Sequence, residues 1–473
     1  MEANLDTLPE ELKSHIVSFL VDEPPSSTWY RREPCVSTTE PSPSRKPLKN
    51  LSLVSKGWRR LVKCPLFRCI RIKLEFGEDL GLPALMSPPI SNFRNAIEAQ
   101  RYSFKSKLFQ GVGYPREIEW AYRHCWQDSA PERAARWLTM LDFKLSSLLA
   151  LLANDDIAMN VDTLCLTVDS ELDDGMPDYV REEIHCLIAS ATFWDILFRS
   201  LEPSQVTIVA PPSTLACLLN CSIRMLDSWA FPGMKHQLVT LQRSRSRSDA
   251  GRLLTTSATS TRTGYDRSEN VHLRMGPNDP ARPALASLLY IRPWTHLVVN
   301  EGSYLQAYAT YEYFHKEPPG IMYPLAQGFE VPMALESFTY HAMFPFHDYL
   351  AAAVNLMSTG IIRQLHVQLA PRSDDKTWSD PARAGKVDIA DCWSEIEQVY
   401  SLMFAGATPE DGHLAAHSNV ALFSSGDVGI DSLKELLDRS FGALGWEENE
   451  VGVWTITEEA AARRRIAQGL DEE

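Results

Sequence analysis

The chain has 473 residues, 44% hydrophobic and 23% charged, with a net charge of −15, too long for one ordinary core and ordinary in composition for a folded protein of two or three units. No run approaches the roughly 20 apolar residues of a membrane span, the polar N-terminus lacks the apolar core of a leader peptide, and an acidic body argues against general nucleic-acid binding. The nine cysteines are odd in number and form no C-x-x-C pair, which fits a reducing, intracellular setting, cytoplasmic or nuclear.

In chain order, residues 7–20 read as a helix. Thr7 and Glu10 have the spacing of a capping box, Pro9 falls in the first turn, and Leu8, Leu12, Ile16, Phe19 and Leu20 recur at helical spacing. Residues 21–47 follow, with Pro24, Pro25, Pro34, Pro41, Pro43 and Pro47 and eight Ser or Thr, and residues 22–47 read as a disordered insert. Closure entropy grows only logarithmically, about 0.6 kcal/mol per doubling of loop length, so such an insert leaves the flanking helices able to pair. Residues 48–62 carry a second stripe of Leu51, Val54, Trp58, Leu61 and Val62, with Lys56, Arg59, Arg60 and Lys63 between its members. Residues 1–75 hold 13 Lys and Arg against 9 Asp and Glu, leaving 33 against 52 for the rest, so a basic N-terminal unit precedes an acidic body.

Periodicity alone makes these two amphipathic helices and nothing more. The wording adds to it: Leu8-Pro9-x-Glu11-Leu12, then Leu51-x-Leu53-Val54-Ser55-Lys56-x-Trp58-Arg59, then Pro65-Leu66-Phe67 resembles the F-box. The resemblance covers roughly the first 75 residues. That family is a small all-helical module that docks a Skp-family adaptor and through it a cullin, joining an SCF-type cullin-RING ubiquitin ligase. Carried over by position, it implies adaptor contacts from Leu8, Pro9, Ile16, Leu20, Leu53, Val54, Ser55, Trp58, Leu61, Pro65 and Phe67. The family's helices are joined by a few residues, so the insert is a departure from it.

Residues 76–155 begin as a Gly-, Pro- and Ser-rich linker and turn helical from about residue 90, with Trp120, Tyr122, Trp126 and Trp137 and a stripe of Leu141, Leu145, Leu148, Leu149 and Leu152. Then a strand-like phrase recurs: Val161-x-x-Leu164-x-Leu166, Trp294-x-x-Leu297-x-Val299, Leu335-x-x-Phe338-x-Tyr340 and Ile362-x-x-Leu365-x-Val367. Weaker strands fall at 205–210, 237–241, 420–424 and 451–456, with helical patterns at 180–201, 304–315, 347–357, 393–404 and 432–444. Alternating strands and helices imply parallel strands with crossovers. The phrase resembles the strand of a leucine-rich repeat, although spacings of 41, 27 and 57 residues between successive strands are irregular. The expected fold is therefore α+β overall, a small all-helical F-box followed by an irregular α/β leucine-rich-repeat-like solenoid over 156–473. An irregular α/β domain with one central sheet is the other reading. Residues 243–282, opening Arg243-Ser-Arg-Ser-Arg-Ser248, lack the apolar content to order themselves and read as a second disordered insert. Thr457 can cap a last helix carrying Glu458 and Glu459 in its first turn and Arg463 to Arg465 in its last.

No enzyme constellation emerges: there is no G-x-S-x-G, phosphate loop, G-x-G-x-x-G or H-E-x-x-H. His413 and His417 lack further ligands, Cys125 beside His124 lacks a third partner, and His341 and His347 flank an aromatic loop. No catalytic residue, metal or cofactor is assigned. The resemblance implies a substrate-recognition subunit of the ligase, acting by proximity; a non-ligase scaffold or interaction module is the alternative. In a solenoid the strands line the concave binding face. Residues between the inward apolar positions point the opposite way: Cys165, Val298, Thr339 and His366, flanked by Thr163, Thr167, His296, Ser337, Gln364 and Gln368. His296, Gln364 and His366 are the candidate target-binding residues.

Overall fold

The computed structural model describes residues 8–21, 33–35, 45–74, 141, 144–145, 147–153, 155–169, 190, 193–219, 221, 223, 227–231, 234–243, 288–309, 315–322, 325, 334–346, 362–372, 387–404 and 419–467. Among the described residues three helices open the chain: α1 (Glu10–Phe19), α2 (Arg45–Val54) and α3 (Lys56–Phe67). Pro9 is the N-cap of α1, with no side-chain cap among the described residues; Thr7, one half of the expected capping box, lies outside them. The expected single helix over 48–62 is two. Ser55 is extended at φ −156° and ψ 169°, and its Oγ accepts the Trp58 N–H at 3.4 Å, capping α3. Ser55→Ala should therefore cost about 1 kcal/mol, the usual value of an N-cap, read as a small drop in Tm with the fold unchanged.

Only Arg68 separates α3 from strand β1 (Cys69–Leu74). The sequence shows why β1 forms: Ile70, Ile72 and Leu74 alternate with Arg71 and Lys73. The helical unit thus runs directly into the sheet. Arg68 seals the junction, its carbonyl accepting the Asp162 and Thr163 N–H groups at 2.8 and 2.9 Å and its Nε reaching Asp162 Oδ2 at 3.3 Å. Phe67, the last residue of the N-terminal motif, packs against the sheet's core.

The strands that follow are β2 (Thr163–Val168), β3 (Gln205–Ala210), β4 (Gln237–Gln242), β5 (His296–Ser303), β6 (Ser337–Met343), β7 (Gln364–Gln368), β8 (Leu422–Ser425), β9 (Trp446–Glu450) and β10 (Val453–Ile456). They form one ten-stranded sheet in the order β1-β2-β3-β4-β5-β6-β7-β8-β10-β9. This overturns the expected F-box-plus-solenoid architecture: the fold is a sheet-rich α/β fold with a single mixed sheet. β1–β2–β3 and β5–β6–β7–β8 pair in parallel, but β4 runs antiparallel to both neighbours and β10 antiparallel to β8 and β9. The strand phrase specifies an extended segment with one apolar side. Strand direction is set by the connections, and a two-residue turn permits only an antiparallel pair. Residues 451 and 452 make such a turn, with Gly452 at φ +77° and a hypothetical Cβ there only 2.7 Å from Val428 Cγ2.

One face of the sheet carries the core. Leu164, Leu166, Val206, Ile208, Val299, Phe338, Tyr340, Leu365, Val367 and Phe423 are buried there. Helices α4 (Pro212–Leu219), α5 (Ile389–Phe404) and α6 (Asp431–Ala443) bury apolar residues in the same cluster. Leu141, Leu145, Leu148 and Leu152, the expected leucine stripe, also join it, whereas Trp120, Tyr122, Trp126 and Trp137 lie outside the described residues. Phe423, Phe441 and Trp454 form an aromatic stack with centroids 4.7–5.9 Å apart that seats α6 on β8 and β10. The last helix, α7 (Glu458–Ala467), is capped as expected, Thr457 Oγ1 accepting the Ala460 N–H at 3.2 Å. Of the two inserts, residues 33–35 and 45–47 of the first and Arg243 of the second are described. Pro34 is buried, residues 45–47 open α2, and the Arg243 N–H reaches the Ser204 carbonyl at 2.8 Å.

Candidate docking surfaces

The three N-terminal helices close around a small core of their own. Val17, Leu48, Trp58 and Val62 are its buried residues, and Leu8, Ile16, Leu20, Leu51, Leu61 and Leu66 pack against them. Trp58 is 1% exposed. The Lys13 ammonium stands 5.8 Å from its ring centroid, and its Nε1 has no hydrogen-bond partner among the described residues. Of the residues carried over as adaptor contacts, Trp58 is therefore interior. Leu53, Val54 and Pro9 are exposed, and Leu8, Ile16, Leu20, Ser55, Leu61, Pro65 and Phe67 are half-buried. Ser55 is occupied as the cap of α3, and Phe67 is turned to the sheet.

Two residues outside that set stand out with Leu53 and Val54. Phe19 is 76% exposed, Leu53 75%, Val54 53% and Leu12 51%. Leu12 and Phe19 are seven residues apart, on one side of α1; Leu53 and Val54 end α2. His15 meets Phe19 edge to ring at 4.6 Å and covers only one side of it. Both Leu12 and Phe19 belong to the apolar stripe visible in the sequence. What that stripe does not disclose is that α1 buries Val17 instead. Side chains of this size are each worth roughly 1.5–3 kcal/mol when buried, so apolar residues left in water on α1 and at the end of α2 suit contact with a partner. Lys49, Lys56, Arg59 and Arg60 are exposed on α2 and α3.

The second surface is the sheet face opposite the main core. Strand register places His296, Ser337, Gln364 and Leu422 on one rung, Val298, Thr339, His366 and Ser424 on the next, and Asn300, His341 and Gln368 on a third. The three candidate target-binding residues therefore share one face. Gln364 is exposed; His296 and His366 are half-buried. His366 Nδ1 pairs with Ser424 Oγ at 2.8 Å, and its ring lies 5.2 Å from that of His341. His296 Nδ1 pairs with Thr295 Oγ1 at 2.7 Å; burial lowers its pKa, opposed by the charge of Glu336. This face is not open along its whole length. Cys165, Val209 and Leu238 are at most 1% exposed, and Thr163, Thr207 and Thr240 at most 2%. The expected outward role of Cys165 and its neighbours on β2 is thus incorrect, because that half of the face is a second, smaller core. The half-exposed polar strip runs over β6 and β7.

Two buried carboxylates that the sequence does not single out lie near the carboxyl ends of strands. Glu301 Oε2 accepts the hydroxyls of Tyr304 and Tyr340 at 2.8 and 2.7 Å, and Oε1 accepts the Met322 N–H at 2.8 Å. Asp427 accepts the N–H groups of Leu369 and Ala370 at 2.8 and 2.9 Å and the Tyr400 hydroxyl at 2.5 Å. Burial raises the pKa of both acids. With their oxygens engaged by main chain and tyrosines, both act as clasps between segments far apart in sequence. The sequence offers no signal for them, since an isolated acid near a strand end has no periodicity.

Among the described residues no group of three or more His, Cys, Asp or Glu could hold a metal ion, and no helix is long and apolar enough to cross a membrane. His347, His413, His417, His124 and Cys125 lie outside the described residues. No protein-family model, curated protein or solved structure matches the chain.

Proposed function

We propose that the chain is the substrate-recognition subunit of an SCF-type ubiquitin ligase. Its N-terminal helices dock a Skp-family adaptor, and the polar strip of the sheet meets a target protein. The ordered F-box-like wording of α1 to α3 supports this reading. The observation that carries it is the exposure of Phe19, Leu12, Leu53 and Val54 on a helical unit that already has its own core. The subunit performs no bond chemistry; it acts by holding a target's lysine near the ligase's activated ubiquitin. A few apolar anchors dominate most interfaces, so Phe19→Asp with Leu53→Asp should abolish co-purification of adaptor and cullin while Tm stays within a degree or two. Undiminished recovery of the adaptor by this double variant would overturn the reading and leave a non-ligase interaction module.

A further inference from the structure

β9 ends the sheet, and among the described residues it pairs with β10 alone. Two hydrogen bonds fix which main-chain groups lie on its outer side. The Ile456 N–H reaches the Ala421 carbonyl at 3.3 Å, toward β8, and the Thr457 N–H reaches the Gly445 carbonyl at 3.0 Å, toward β9. In an antiparallel pair, residues alternate between bonding across the pair and facing away from it. Thr455 and Glu447 are therefore a bonded pair, and Trp454 and Glu448 are not, so Glu448 turns its N–H and C=O to the outer side. Asn449 is the extra residue of a bulge between Glu448 and Glu450.

The side chains along this edge stand in water and are mostly acidic. Glu447, Glu448, Asn449 and Glu450 are all exposed. Glu448 is engaged: its Oε2 meets Lys434 Nζ at 3.0 Å, and its Oε1 accepts the Gly452 N–H at 2.8 Å. Among the described residues no cation pairs with Glu447 or Glu450. Val451, in the turn to β10, is 78% exposed.

Charges and bulges on an edge strand stop like strands from pairing with it. Here the charge has one sign, so it rejects some strands and admits others. A second copy of β9 would set Glu447, Glu448 and Glu450 against carboxylates, and like charges on neighbouring strands oppose pairing. A strand bearing Lys or Arg finds the reverse: main-chain partners at Glu448, carboxylates at Glu447 and Glu450, and an apolar contact at Val451. Residues 76–473 hold 33 Lys and Arg against 52 Asp and Glu, so the field of the acidic body draws in the same kind of partner. Strand addition takes its affinity from main-chain bonds and its specificity from alternate side chains.

We propose that the outer edge of β9 binds an extended, basic peptide segment of a partner protein as one more strand of the sheet. β8 and β10 separate this edge from the polar strip over β6 and β7. The proposal goes beyond the function given above and does not depend on it.

The test uses the full chain and a fluorescent peptide of alternating Lys and Val, followed by anisotropy and amide exchange. The peptide should bind saturably and slow exchange of the Glu448 amide at least about tenfold. The same peptide with every amide N-methylated keeps its charge but loses its donors, and should bind at least about tenfold more weakly. Glu447→Lys with Glu450→Lys should weaken the unmethylated peptide at least about tenfold with Tm unchanged, since both side chains lie in water. Absence of saturable binding would overturn the proposal. So would equal binding of the two peptides, which is attraction to an acidic surface only, or unchanged exchange at Glu448 in the saturated complex. Undiminished binding by the doubly charge-reversed chain would overturn it too, as would self-association of the wild-type chain that protects Glu448 and puts a second copy at this edge.

Discussion

Trp58→Ala should unfold the N-terminal helical unit rather than merely weaken a docking surface. Truncating a buried Trp costs about 3–5 kcal/mol through lost burial and the cavity left behind. The unit's core rests on Val17, Leu48, Trp58 and Val62, so a loss of this size takes most of what holds α1 to α2 and α3. Hydrogen exchange should rise throughout α1 to α3 while β5 to β8 keep their protection. Trp58→Phe is the informative partner. Because Trp58 Nε1 has no acceptor among the described residues to lose, a phenyl ring should retain most of the stability. The contrast with Phe19→Asp and Leu53→Asp is direct: those residues are 76% and 75% exposed and should leave exchange unchanged. If Trp58→Ala left α1 to α3 as protected as in the wild type, the interior placement of Trp58 would be wrong. Loss of adaptor binding in a Trp58 variant would not by itself identify a contact, since the docking surface would be lost with the fold.

A comparable loss is expected at Asp427, with a pH dependence of defined sign. Asp427→Ala strands the Leu369 and Ala370 N–H groups and removes one hydrogen bond of the Tyr400 hydroxyl, which keeps Ser425 Oγ at 3.0 Å. Each orphaned buried group costs about 1–3 kcal/mol, so a loss of about 3–5 kcal/mol and a drop in Tm of many degrees follow, the scale of breaking a buried charged network. Burial pushes the Asp427 carboxyl from 3.8 up to about 6, partly offset by the hydrogen bonds from Tyr400, Leu369 and Ala370. A carboxyl whose pKa is raised by folding binds its proton more tightly in the folded state. Its contribution to stability is therefore complete below about pH 4 and lost as pH rises through about 6, a change on the order of 3 kcal/mol. Asp427→Asn cannot titrate. The stability gap between the wild type and Asp427→Asn should accordingly widen as pH falls from 7 to 4, as read from chemical denaturation at each pH. A gap constant over that range would contradict the burial of this carboxyl.

Local sequence made much of the chain legible. The strand over residues 205–210 is found where Val206, Ile208 and Ala210 alternate with other residues, and the helix expected over 432–444 is α6, one residue earlier. The Thr457 cap was equally plain, because capping depends on residues three apart. β1 carried its signal in Ile70, Ile72 and Leu74, but the N-terminal wording absorbed it into the helical unit. β9, with Glu447, Glu448, Asn449 and Glu450 all exposed, has no apolar alternation to find.

Periodicity of 3.6 or 2 determines which residues share a face, and it did so here for Leu12 and Phe19 and for His296, Gln364 and His366. It does not determine what that face meets. Only the tertiary structure turned Trp58 and Val17 inward and left Phe19 and Leu53 in water, because that choice depends on where α2 and α3 lie. Strand direction was likewise decided by connections, so a phrase that resembles a repeating solenoid became one mixed sheet with β4 and β10 reversed. The clasp of Asp427 on Leu369 and Ala370, 58 and 57 residues away, belongs to the same class. Hydrogen bonds and van der Waals contacts act over a few ångströms in space, and sequence spacing encodes such proximity only within a turn of helix or a step of strand.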